Sequence, residues 1–111
     1  MKREEIEGYD AILERNIRTN GKAWHLLKLA EECNELSAAI MQYFTKDGSE
    51  IAVISEAADV LVGLDHFEKM YPGELSKFSD VKYGKIRERL SSGKTYVPGF
   101  ILRLMEGLNE K

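Results

Sequence analysis

The chain has 111 residues, of which 43% are apolar and 32% charged, with a net charge of −3. That suffices for one domain over residues 1–111 with a real core, and not for two of ordinary size. The negative balance argues against a nucleic-acid polymer as partner, and a single cysteine, Cys33, rules out an intramolecular disulfide or a cysteine metal cluster.

Helical periodicity accounts for nearly the whole chain. The first helix is expected from Lys2 to about Arg18, with Ile6, Tyr9, Ile12, Leu13 and Ile17 recurring at helical spacing and Asn20-Gly21 ending it. The second runs from about Lys22 to Phe44 on the stripe Leu26, Leu29, Cys33, Leu36, Ile40 and Phe44, which reads as the setting of a buried thiol. Asp47-Gly48 is a turn signal and Ser49 a cap for the third helix, Glu50 to Met70, which Tyr71-Pro72-Gly73 stops. The fourth spans roughly Glu74 to Leu90. After breaks at Ser91-Ser92-Gly93 and Pro98-Gly99, a short fifth helix covers Phe100 to Leu108. Lys94 to Val97 allows a short extended piece at most. Long helices joined by short loops imply an all-α, antiparallel bundle of four to five helices. No apolar run approaches a membrane span, and the N-terminus lacks the apolar stretch of a secretory signal, so the expected compartment is the cytoplasm.

Two carboxylate pairs stand out against this background. Glu32 and Glu35 lie in KLAEECNEL, and Glu56 and Asp59 in ISEAADVLVGL. Residues three apart share a helix face. Asp59 is the only charge between Ala57 and Leu64, and the stripe Ala52, Glu56, Asp59, Gly63 is flanked by Val53, Val60, Ala58 and Val62. An acid on a helix is usually solvated surface, which is the reading for Glu4, Glu5 and Glu88. A charged stripe with apolar neighbours on both sides makes a poor solvent face. If the two helices pack together, four carboxylates converge and repel unless a positive charge sits among them.

The donors are all oxygen. No His-x-x-x-His or cysteine pair is present for zinc, and His25 and His66, the only histidines, do not form the Glu-x-x-His pairs of a di-iron bundle. Hard oxygen ligands suit Mg²⁺, with Mn²⁺ as the alternative. A purely structural ion-pair network is the competing explanation, but Lys28 is the only basic residue of these two helices placed close to the acids.

At this point the chain resembles a known family, the MazG-like all-α nucleoside triphosphate pyrophosphohydrolases. The family signature is E-E-x-x-E, a spacer, then E-x-x-D. Here it reads Glu31-Glu32-Cys33-Asn34-Glu35, a spacer of twenty residues, then Glu56-Ala57-Ala58-Asp59. The similarity covers about Ala23 to Phe67, with a further basic segment from Lys82 to Arg89. The resemblance implies Mg²⁺-dependent cleavage of a nucleoside triphosphate between the α and β phosphates, giving a monophosphate and pyrophosphate. It implies Glu32, Glu35, Glu56 and Asp59 as metal ligands and Glu31 as an outer residue or the one orienting the attacking water. It also implies a homodimer or homotetramer that completes the bundle.

The chemistry is coherent on its own terms. Phosphoryl oxygens repel a nucleophile, and four carboxylates are enough to hold a pair of cations, about 4 Å apart, that offset this charge. Lys82, Lys85 and Arg89 share a helix face and could hold the β and γ phosphates, or form a solvated basic face. Trp24 and His25 precede the acids by one to two turns; Trp24 could stack on a base or be structural. Lys28 could contact phosphate or neutralise the acids. A non-catalytic helical oligomer that binds nucleotide or a protein through the same acids is the alternative from another class.

Overall fold

A computed structural model describes residues 2, 5, 6, 8–93 and 99–109. It is all-helical, and no strand occurs among the described residues. The helices are α1 (Tyr9–Asn20), α2 (Lys22–Thr45), α3 (Glu50–Met70), α4 (Glu74–Ser92) and α5 (Gly99–Asn109). The expected bundle class is therefore present, and α3 occupies the expected residues. Ser49 caps it as the sequence implies, its Oγ accepting from the Ala52 N–H at 3.2 Å.

The start of α1 differs from the expectation at Lys2. Gly8 sits in the left-handed region at φ 76°, so the helix begins only at Tyr9, although the apolar period continues back to Ile6. The residues from Lys94 to Val97 lie outside the described ones.

α2 and α3 form an antiparallel αα-hairpin, the best-packed pair in the molecule. Its loop is tight. A Cβ on Gly48 would lie 2.6 Å from the Tyr43 backbone nitrogen, so only glycine passes there. The two arms also approach closely at Gly63, where a Cβ would meet Leu29 Cδ1 at 2.9 Å. α1 packs across this hairpin and supplies Leu13, the buried apolar residue among those described. Lys69 of α3 ties to Asp10 and Glu14 of α1 at 3.5 and 3.3 Å; such exposed pairs contribute little.

The outer part of the chain is open. α5 touches α2, while α4 has no extensive contact with any helix. Phe78, Val81 and Leu90 on α4 are 67%, 60% and 70% exposed, and Ile51 and Ile54 of α3 are similarly bare. Cys33, expected to be buried, is exposed, because its side of α2 faces a groove of about 430 Å³ shared with Phe100 and Leu104 of α5 rather than a closed core. The radius of gyration is 17.6 Å, against about 13 Å for a compact chain of this length. The accessible surface is 8916 Å², against roughly 6200 Å² expected for a compact chain of this mass. No helix among the described residues is long and apolar enough to cross a membrane.

Candidate metal centre and adjoining pocket

The hairpin register decides what meets what. Along α2, His25, Lys28, Glu32, Glu35 and Ala39 follow steps of three and four. Along α3, Ala52, Glu56, Asp59, Gly63 and His66 follow the complementary steps in reverse. In an antiparallel pair these stripes face each other rung by rung. The histidines at one end stack, with ring centroids 4.7 Å apart and planes 16° from parallel. The acids form the next rungs. One carboxylate oxygen from each of Glu32, Glu35, Glu56 and Asp59 lies within 4.8 Å of all the others.

This cluster is charged and only partly offset. Glu32 is 8% exposed and Glu56 half-buried, and Oε2 of each is buried with no hydrogen-bond partner. Such orphaned acceptors are rare, because each forgoes its hydration without replacement. The negative charge of Glu32, followed by lost solvation and by Glu56, raises the Glu35 carboxyl above its ordinary range. Lys28 is the one cation near the cluster among the described residues. It reaches Glu32 at 3.0 Å and Glu31 at 2.9 Å, and the hydrogen bond to Glu31, then that to Glu32, raises the ammonium beyond its ordinary range. One ammonium shared between two carboxylates leaves most of the cluster's charge unbalanced. Four converging oxygen donors with two unpartnered buried oxygens fit a hard divalent cation, and the group could hold a metal ion.

Glu31 is not part of the four. It lies one step round α2, is exposed, and is held by Lys28. Next to the acids is a pocket of about 210 Å³. Lys28, Glu32 and Asp59 line its charged end, and Trp24, His25 and Gly63 continue the wall. Trp24 is 45% exposed and meets His25 edge-on at 4.8 Å between centroids. Lys82, Lys85 and Arg89 are exposed on α4 and none lines the pocket, so a single chain does not bring them to the acids.

Two further polar lining residues, Asn16 of α1 and His66 of α3, were not among the expected site residues. His66 continues the stripe of Glu56, Asp59 and Gly63 by one more turn, and that extension was the available signal. Asn16 had none, since its place depends on how α1 crosses the hairpin. No family model, no curated protein and no solved structure matches the chain.

Proposed function

We propose that the protein is a Mg²⁺-dependent nucleoside triphosphate pyrophosphohydrolase of the MazG-like kind, acting in the cytoplasm, with Mn²⁺ able to replace Mg²⁺. The observation that carries this reading is the four-carboxylate cluster, with two unpartnered buried oxygens, at the end of a pocket that also contains a lysine. Glu32, Glu35, Glu56 and Asp59 would hold the cation, which when bound supplies charge to offset the phosphates and activates water at neutral pH.

The chain's own groups supply the rest. Lys28 can turn from Glu31 to a phosphate oxygen, replacing one anionic partner by another. That movement frees Glu31 Oε1 to orient the attacking water and take its proton. Water adds at the α phosphorus, the α–β anhydride bond breaks, and pyrophosphate leaves. Trp24 at the rim offers an aromatic edge to the base.

The test is pyrophosphate release from a panel of nucleoside triphosphates with Mg²⁺. Turnover of at least one, abolished by chelation of the cation, is expected. Binding without release would favour a non-catalytic nucleotide-binding oligomer, and neither binding nor release would leave the acids a structural network.

The second part of the proposal concerns assembly. A surface larger by roughly 2700 Å² per chain than that of a compact chain, or roughly 5400 Å² over two chains, is of the size of a large obligate subunit contact. The exposed faces of α3 and α4 would meet a second copy, in a homodimer or homotetramer, and Lys82, Lys85 and Arg89 would then approach phosphates bound by a neighbour. Light scattering at micromolar concentration should give two or four times the 12.6 kDa chain mass. A monodisperse monomer there would reject the assembly.

A further inference from the structure

The acids occupy one end of the pocket, and the other end is built from groups with no role so far. His25 and His66 are 6% and 7% exposed and stack face to face. Asn16 touches both. Its backbone carbonyl is 3.0 Å from His25 Nε2, and its Nδ2 is 2.9 Å from His66 Nε2.

The polarity of this network can be deduced one group at a time. The Asn16 carbonyl can only accept, so the Asn20 side-chain nitrogen beside it at 3.2 Å is a donor and that amide is oriented. The same nitrogen donates to Asn16 Oδ1 at 2.8 Å, so Asn16 must present Nδ2 to His66. His66 Nε2 therefore accepts. His66 Nδ1, 2.8 Å from the Val62 carbonyl, carries the hydrogen. His25 Nε2 faces a carbonyl and carries its hydrogen there. Three of the four ring nitrogens are thus committed. His25 Nδ1 has no protein partner among the described residues and is the acceptor of its ring. It is left as an acceptor open to the pocket.

We propose that Asn16 is a positioning residue for the uncharged end of the substrate. By locking both imidazoles in single tautomers, it leaves one ring-edge acceptor, His25 Nδ1, for a planar group bearing an N–H donor, such as a nucleobase, while Lys28 and the acids take the charged end. This rests on the nucleotide reading given above. A pocket of about 210 Å³ holds a base but not a whole nucleoside triphosphate, consistent with only one end of the ligand being enclosed.

Nitrogen-15 NMR of the histidine rings in the full chain is the first test. The expected result is hydrogen on Nδ1 of His66 and on Nε2 of His25, and a hydrogen on Nε2 of unmodified His66 overturns the proposal. The second test measures binding, with Mg²⁺ present, of α,β-methylene nucleotide analogues and of inorganic tripolyphosphate. Asn16→Asp replaces the donor facing His66 Nε2 by a charged acceptor and removes the bond that holds this tautomer. It should weaken the best nucleotide analogue at least tenfold and tripolyphosphate less than twofold. Asn16→Ala, which adds no charge, should weaken the nucleotide analogue about threefold and spare tripolyphosphate. Equal losses for both ligands would mean a merely structural role and overturn the proposal, as would wild-type binding no tighter for any nucleotide than for tripolyphosphate. Nucleotide binding with this pattern but no pyrophosphate release would end the hydrolase reading and leave the role of Asn16 standing.

Discussion

Glu56→Gln is expected to lower pyrophosphate release by about a thousandfold at saturating Mg²⁺, and to make the metal-free protein more stable. On the proposed reading, the first effect follows from removing one of the four carboxylates that would hold the cation. Charge stabilisation by a bound cation is worth several kcal/mol, and each 1.36 kcal/mol is tenfold in rate. The second follows from the cluster itself. Oε2 of Glu56 is buried without a partner, and glutamine replaces a charge with an amide whose N–H can donate to the facing carboxylates. Relief of an unsatisfied buried acceptor is worth about 1–3 kcal/mol. A pyrophosphate assay and a thermal scan of the metal-free variant check both. If the variant unfolds at lower temperature and keeps its turnover, the acids are a structural network and the metal reading is wrong.

Mg²⁺ itself should act as a stabiliser whose effect fades in acid. At a hundredfold excess over its dissociation constant, a ligand of the folded state adds about 2.7 kcal/mol, or about 10 °C for a chain of this length. The sign of the pH dependence comes from Glu35, whose carboxyl is raised from its ordinary 4.5, first by the charge of Glu32. A group raised on folding contributes stability at low pH and loses it as pH rises through the folded value. The metal-free protein should therefore become more stable as pH falls from neutral towards 4.5, the reverse of an acid held in a salt bridge. Over the same interval protons compete with the cation, and the gain from Mg²⁺ should shrink. Melting temperatures with and without Mg²⁺ across this range test it. Two parallel curves, or no shift at any pH, would count against a cation among these acids.

How much of this was legible in the sequence depended on whether the information was local. The bounds of α3 were readable because Ser49 and Tyr71-Pro72-Gly73 act within a turn of the helix ends. The carboxylate cluster was readable because helical spacing and a short loop between α2 and α3 leave one antiparallel pairing that brings the two stripes face to face. The start of α1 was not, because Gly8 adopts positive φ while the apolar pattern runs through it. Cys33 misled for a related reason. An apolar stripe tells which face of α2 avoids water but not what covers it, and here it borders the open groove beside α5. Asn16 was the hardest. A polar residue on a short amphipathic helix reads as surface, and its role arises only where α1 crosses two buried histidines.

All four acids belong to one helical hairpin, which has a consequence for the order in which the protein assembles. Contacts within a hairpin are local and form early and fast. Closing this one, however, drives Glu32 and Glu35 against Glu56 and Asp59, so the step that creates the centre works against its own field. Cations and salt ease that approach by neutralising or screening it. A cation held by these acids would therefore act on the folding route as well as at the finished site, as a template on which the two arms zip.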